Sequence, residues 1–148
     1  MKKINNYIQE KLKLNKEIIL NNGKSKTKKT LFPKDKMELK QMIADEVKKN
    51  GPNCSLNHID VSKITNFSNL FNKPLFISNR NIDIYPYTFN GDISEWDVSK
   101  VEFMNNMFAG SNFNSDISNW KINPICKTTE MFRHCPIKNE YKPKSLQD

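Results

Sequence analysis

A short stretch near the N-terminus has some of the residues of a nucleotide-binding site. Gly23, Lys24 and Ser25 match the end of a phosphate-binding loop, but that motif also needs a glycine five residues before Gly23, and residue 18 is Ile. The sequence therefore predicts a lysine-rich loop here and no nucleotide site.

Two pairs of cysteine and histidine have the residue types of a zinc site. Cys54 precedes His58 by four residues, and His134 is followed directly by Cys135. Neither pair belongs to the paired CxxC or HxxxH spacing that builds a tetrahedral zinc site. The sequence predicts no metal and no cofactor.

Three aspartates could act as paired carboxylates in acid–base catalysis. However, Asp92, Asp97 and Asp116 occur beside serines at recurring positions of the sequence, which is typical of side chains that cap turns. No Ser-His-Asp or Cys-His arrangement can be assigned. We therefore expect a protein that is not an enzyme.

An internal repeat contains these aspartates. FNGDISEWDVSKVEFMNNMF (residues 89–108, repeat 2) returns as FNSDISNWKINPICKTTEMF (residues 113–132, repeat 3), 24 residues later (113 − 89). LNHIDVSKITNFSNLF (residues 56–71, repeat 1) is an earlier copy offset by 37 residues (108 − 71). A fixed period of this size predicts units that bury their apolar residues only by stacking on one another. The predicted structural core includes Ile93, Trp96, Phe108, Ile117, Trp120 and Phe132.

The part before the repeats differs in charge and pattern. Residues 1–53 contain 14 lysines and six acidic residues, a balance of +8, whereas residues 54–148 balance to zero. The apolar spacing predicts helices over residues 3–14 and 36–49, the second with Asp35 as N-cap. We assign residues 1–53 to a basic helical region that caps the repeats.

Two segments are candidate binding sites. Between repeats 1 and 2 lies an insertion at about residues 76–89, whose Phe76, Arg80, Tyr85 and Tyr87 are types enriched at interfaces. The alternative is that the insertion folds back and pads the core. In the lysine-rich loop, Lys24, Lys26, Lys28 and Lys29 could contact phosphate or nucleic acid, and the alternative is a merely solvated loop.

The stretch FNGDISEWDVSKVEFMNNMFAGSNFNSDISNW closely resembles the repeats of bacterial BspA-type leucine-rich-repeat proteins. The resemblance covers about residues 54–135, with residues 136–148 as a C-terminal tail. It implies an α+β fold, a short leucine-rich-repeat-like solenoid of about three 24-residue coils with a helical N-terminal cap. It also implies binding activity without catalytic residues. This chain is most similar to short intracellular members carried by bacteriophages and their hosts.

The predicted cellular compartment rests on the number of cysteines and on the hydropathy of the N-terminus. Three cysteines do not suggest a disulfide framework, and the N-terminus has no apolar stretch typical of a signal peptide or a membrane span. We expect a cytoplasmic protein that binds a protein or nucleoprotein, such as a phage-encoded inhibitor of a host defence nuclease. The alternatives are a structural or surface-adhesion repeat protein and a non-specific nucleic-acid binder.

Overall fold

The computed structural model describes residues 26–75 and 86–148 of the chain. Three groups of predictions lie outside the described residues: the helix over residues 3–14, the Gly23 to Ser25 loop with Lys24, and the insertion residues Phe76, Arg80 and Tyr85. In the described ranges, the regular elements are one α-helix and two 3-10 turns, Asn139–Tyr141 and Lys144–Leu146. Strand-like pairing there is limited to isolated parallel bridges.

Helix α1, Lys36–Asn50, confirms the helix predicted over residues 36–49. The carboxylate of Asp35 caps its first turn by accepting the N–H of Glu38 at 2.8 Å. At the other end the chain leaves the helix at Gly51, where φ is 87°, a backbone conformation that glycine adopts without strain.

The helix packs on the repeats through its apolar stripe. Leu39 and Ile43 are fully buried and belong to the same core cluster as the repeat residues. A polar contact adds to this packing, because Nε2 of His58 lies 3.2 Å from a carboxylate oxygen of Glu46. One continuous core therefore includes the helix and all three repeats.

Adjacent repeats lie side by side and are joined in the same register at both junctions. The N–H of Phe67 in repeat 1 donates to the carbonyl of Phe103, at 2.7 Å. The N–H of Met104 in repeat 2 donates to the carbonyl of Lys127, also at 2.7 Å. Since Met104 is the repeat counterpart of Phe67, the two junctions have the same pattern of backbone hydrogen bonds. At both junctions every second N–H donates in this way, as far as Lys73 at the first junction and Gly110 at the second.

The buried side chains come from the repeated apolar positions. Ile93, Trp96, Phe108, Ile117 and Trp120 each expose less than 5% of their surface, whereas Phe132 is half-buried against the core. The rings form columns across the repeats. The ring centroids of Phe71 and Phe108 are 5.3 Å apart, and those of Phe108 and Phe132 are 5.7 Å apart. The centroids of Trp96 and Trp120 are 6.5 Å apart.

Each tryptophan also ties its repeat to the previous one. The indole N–H of Trp96 donates to the carbonyl of Leu56 at 2.9 Å, and that of Trp120 donates to the carbonyl of Ile93 at 3.0 Å. Leu56 and Ile93 occupy the same repeat position, so the bond recurs with the repeat. Each of these carbonyls also accepts a local backbone N–H, from Ile59 and Trp96 respectively, so the indole is a second donor that links neighbouring repeats.

Close approach between repeats explains the one glycine at their junction. A Cβ on Gly91 would overlap the carbonyl oxygen of Cys54, its counterpart before repeat 1. The chain needs a residue without a side chain here, because backbone rather than a movable side chain stands in the way.

Further segments cover the two ends of the stack. Leu31 forms a parallel bridge with Ile59 of repeat 1. At the other end, the carbonyl of Tyr141 accepts the N–H of Ile117, and Nζ of Lys142 lies 5.9 Å from the ring centroid of Phe132. The tail after repeat 3 therefore packs on its outer side.

Candidate protein-binding groove

A groove of about 430 Å³ runs across the C-terminal ends of the three repeats and the residues that directly follow them, on the side where the repeat backbones pair. We call it the three-repeat groove. Its lining residues are Asn69, Asn72, Lys73, Leu75, Asn106, Ala109, Gly110, Arg133 and His134.

Backbone conformation shapes the floor of the groove. Asn69 and Asn106, at equivalent positions of repeats 1 and 2, adopt the left-handed region with φ of 61° and 55°. Gly110 and His134 are 24 residues apart (134 − 110), so they also occupy equivalent positions, and both have positive φ, 68° and 54°. Asparagine and glycine tolerate this region well, so their recurrence lets the chain turn tightly at fixed points of each repeat. The groove is therefore formed by aligned turns.

The groove joins an exposed apolar side chain to basic ones. Leu75 is 95% exposed, and the described lining residues include Lys73 and Arg133 but no carboxylate. Glu130 lies beside the groove, where its carboxylate is 3.2 Å from the Arg133 guanidinium on a largely exposed surface. Such an exposed pair leaves the guanidinium accessible, because surface ion pairs are weak.

Tyr87 is the one described member of the predicted insertion site, and it lies next to this groove. Nζ of Lys73 is 5.7 Å from the centroid of its ring. Its side chain is half-buried, and its carbonyl accepts the N–H of Asn112 at 2.9 Å. Lys73 thus connects the predicted interface tyrosine with the groove lining.

A second groove, of about 540 Å³, is polar and lies over the Asp-Ser turns. Its lining residues are Asn53, Asn90, Gly91, Asp92, Ser94, Ser115, Asp116, Ser118 and Asn119. Several of these groups already bond within the chain. The Ser115 hydroxyl donates to the carbonyl of Asn90, and the Asn119 amide donates to the carbonyl of Ser94, both at 3.0 Å. This polar groove offers fewer groups to a partner than its size suggests.

The turn-capping role predicted for the three aspartates is confirmed. Oδ1 of Asp92, Asp97 and Asp116 accepts a backbone N–H two residues later, at distances from 2.9 to 3.1 Å. Hydrogen bonds from the Ser99 hydroxyl and N–H hold the pKa of Asp97 below its usual value. A lowered pKa keeps this carboxylate ionised, which suits a cap and not a general acid.

The described lysines of the lysine-rich loop have different surroundings. Lys26 and Lys28 are exposed, whereas Lys29 is half-buried and its Nζ donates to the carbonyl of Asn57 in repeat 1. The side chain of Lys29 therefore anchors the segment before Leu31 to the repeats. Among the described lysines that were predicted to contact phosphate, Lys26 and Lys28 are therefore the two with exposed side chains.

The three cysteines have different bonding partners: Cys54 bonds to the carbonyl of Glu46 in α1, Cys126 to the carbonyl of Lys127, and Cys135 to repeat 3. Sγ of Cys135 lies 3.1 Å from the carbonyl oxygen of Phe113 and 3.7 Å from Oγ of Ser111, its counterpart. Burial raises the pKa of the Cys135 thiol. Among the described residues, no group of three or more His, Cys, Asp or Glu side chains is placed to hold a metal ion.

Sequence reasoning missed most of the three-repeat groove. Leu75 and Arg133 carried no motif, and His134 was considered only as a metal ligand. The signal that could have found them is the repeat register, which aligns Lys73, Gly110 and His134. That alignment becomes a surface only when the repeats are side by side.

Comparison with known proteins identifies a family. Residues 37–142 match the family model described as "Mycoplasma protein of unknown function, DUF285", so the chain belongs to this family. The match includes helix α1, the three repeats and the start of the C-terminal tail. No curated protein and no solved structure matches the chain. In the described ranges, no helix is long and apolar enough to cross a membrane.

Proposed function

We propose that this chain is a non-enzymatic protein that binds a macromolecular partner through the three-repeat groove. The observation that carries the proposal is the almost fully exposed Leu75 beside Lys73 and Arg133, in a groove whose described lining residues include no carboxylate. An apolar anchor next to basic side chains suits a partner surface with an apolar side chain and acidic neighbours.

We further propose that the repeats form a short leucine-rich-repeat-like solenoid of the BspA type. The support is the identical register at the two repeat junctions, together with the recurring indole bonds. A rigid stack of this kind holds residues from distant parts of the sequence in one surface. Lys73 and Arg133, 60 residues apart in the sequence (133 − 73), line the same groove.

The experiment is capture of partners by the tagged full chain from extracts of its own organism, with and without nuclease treatment. Leu75→Asp and the double variant Lys73→Glu with Arg133→Glu test the groove. Asn53→Asp is the matched control for Leu75→Asp, because it adds the same single negative charge at an exposed residue of the polar groove. We expect a nuclease-resistant protein partner whose affinity falls about tenfold or more in the groove variants and is unchanged in the control.

Other outcomes decide against this function. The chain is a non-specific nucleic-acid binder if it recovers nucleic acid alone and if this binding is lost when Lys26 and Lys28 are replaced by neutral residues. Equal binding by the groove variants and the control would move the site elsewhere on the chain. If a partner is recovered, its identity also tests the narrower prediction of a host defence nuclease or nucleoprotein in the cytoplasm.

A further inference from the structure

The backbone hydrogen bonds between repeats run in one direction. In repeat 1, N–H groups of alternate residues donate to carbonyls of repeat 2, and alternate N–H groups of repeat 2 donate to carbonyls of repeat 3. The donors in repeat 2 are Met104, Asn106, Phe108 and Gly110. Each repeat therefore presents a row of donors toward the next one along the stack.

Repeat 3 has the same row, but no described repeat lies on its outer side. The equivalent N–H groups, which we call the open edge, are those of Thr128, Glu130, Phe132 and His134. None of the four donates a hydrogen bond to another described residue. The carbonyls of Thr128, Glu130 and Phe132 already accept local N–H groups, as their counterparts in repeat 2 do.

Side-chain exposure shows that this end is less covered than the junctions. Glu130 and His134 are exposed, and Phe132 is half-buried although its counterparts Phe71 and Phe108 are completely buried. The tail covers part of Phe132 through Lys142. The four donors lie on a run of turns, with Glu130 and His134 in the left-handed region, and their N–H groups can pair with a segment that repeats these turns, as repeat 3 does beside repeat 2.

Charge separates this end of the molecule from the rest of the repeats. Residues 121–148 have six basic and three acidic residues, a balance of +3, whereas residues 54–120 have four basic and seven acidic residues, a balance of −3. Two of the three acids near the edge are already paired, Glu130 with Arg133 and Asp148 with Lys142. An incoming segment would therefore meet positive charge.

We propose that the open edge binds an acidic peptide segment of a partner protein, which lies parallel to repeat 3 and adopts the same run of turns. Carbonyls of alternate peptide residues accept the four N–H groups, as the carbonyls of repeat 3 accept those of repeat 2. Acidic side chains of the peptide face Lys127 and the other basic residues of this end. This binding mode goes beyond the three-repeat groove: the two sites meet at His134, but binding at the edge does not require an occupied groove.

The test measures amide exchange by NMR in the full chain with a set of eight-residue peptides that carry Asp or Glu at every second position. We expect slower exchange at the four open-edge amides, and no change at Met131 and Arg133, whose N–H groups are already bonded. Peptides with Asn or Gln in place of the acids should bind the parent protein more weakly. The Lys127→Glu variant of the protein should bind the acidic peptides more weakly than the parent does.

A backbone variant isolates the hydrogen bonds. Thr128→Pro removes an N–H that bonds to no described residue, and Thr128→Ala is the matched control because it retains that N–H. We expect Thr128→Pro to bind about fivefold more weakly than Thr128→Ala. Lys73→Glu, which alters only the groove, should leave peptide binding at the edge unchanged.

Three results would overturn the proposal. One is the absence of any alternating protection with every peptide at about 1 mM, a concentration that detects even weak binding. Another is equal affinity of Thr128→Pro and Thr128→Ala. The last concerns a single-stranded oligonucleotide in place of the peptides. If it slows amide exchange as much as the acidic peptides do, and neither ligand protects alternate residues selectively, the attraction is due to charge alone.

Discussion

Repeats 2 and 3 have closely related sequences but different surroundings. Val101 in repeat 2 is completely buried, whereas Ile125, its counterpart in repeat 3, is 72% exposed. The local turn explains this difference. In repeat 2 the N–H of Val101 donates to the carbonyl of Val98, but in repeat 3 the corresponding bond comes one residue later, from Cys126 to Asn123.

The comparison teaches that burial depends on a neighbour as well as on a motif. Phe108 has the rings of Phe71 and Phe132 on its two sides, whereas Phe132 has a ring on one side and Lys142 on the other. A side chain covered on both faces loses more contact when it is truncated. The predictions below use this asymmetry between an inner and an outer repeat.

The largest effect should come from removing an inner ring. We expect Phe108→Ala, like Trp96→Ala, to lower the free energy of unfolding by about 3–5 kcal/mol, because each leaves a cavity in the stacked core. Phe132→Ala should cost about 1–2 kcal/mol, since its ring is only half-buried. Denaturant unfolding of the three variants measures the difference. An equal loss for Phe108→Ala and Phe132→Ala would contradict the inner and outer assignment.

The next effect concerns the indole hydrogen bonds. Trp96→Phe removes the indole donor to the carbonyl of Leu56, which keeps only the N–H of Ile59, and we expect a loss of about 0.5–1.5 kcal/mol in the free energy of unfolding. Trp120→Phe should cost somewhat less, because no ring of a described residue beyond repeat 3 stacks on its outer face. Thermal and denaturant unfolding give both values. The hydrogen-bond account is wrong if both variants unfold at the same midpoint as the parent.

Acid should weaken the turns of both repeats. Hydrogen bonds from Ser99 and Ser118 hold the pKa values of Asp97 and Asp116 below those of an unfolded chain. The stabilisation is therefore present above about pH 4 and is lost as pH falls through the lowered folded values. Stability measured from about pH 6 to about pH 3 should fall less steeply in Asp97→Asn with Asp116→Asn than in the parent. The same slope in both proteins would exclude these caps as the cause.

The smallest effect concerns a left-handed residue in the outer repeat. Glu130 has φ of 52° where repeats 1 and 2 have asparagine. Since asparagine tolerates this region better, Glu130→Asn should stabilise the protein by about 0.5–1 kcal/mol. The reciprocal change, Asn106→Glu, should destabilise repeat 2 by a similar amount. A destabilising effect of Glu130→Asn would show that the pair with Arg133 matters more than backbone strain.

Several features of the fold could be predicted from sequence because they repeat locally. Asp35 with Glu38 indicated the start of α1, and Asn50 with Gly51 indicated its end. Asp97 with Ser99 indicated a capped turn. In each case the interacting groups are two to four residues apart, so the necessary geometry is encoded in a few consecutive residues.

The candidate site could not be predicted in the same way. Leu75 and Arg133 are 58 residues apart (133 − 75), and nothing local marks either as a binding residue. The same holds for Lys29, whose ammonium group bonds to a carbonyl of repeat 1. Such contacts depend on which turns align after the repeats have packed.

The sequence by itself determined the period, the apolar positions that recur with it, and the polar residues that cap its turns. Only the tertiary structure decided which side of the stack forms a groove, why Ile125 lies outside, and which backbone donors have no described partner. The physical reason is that periodicity specifies one unit and its preferred neighbour. At repeat 3 the same backbone has no described neighbour for its N–H groups, and the proposed peptide-binding edge depends on that difference.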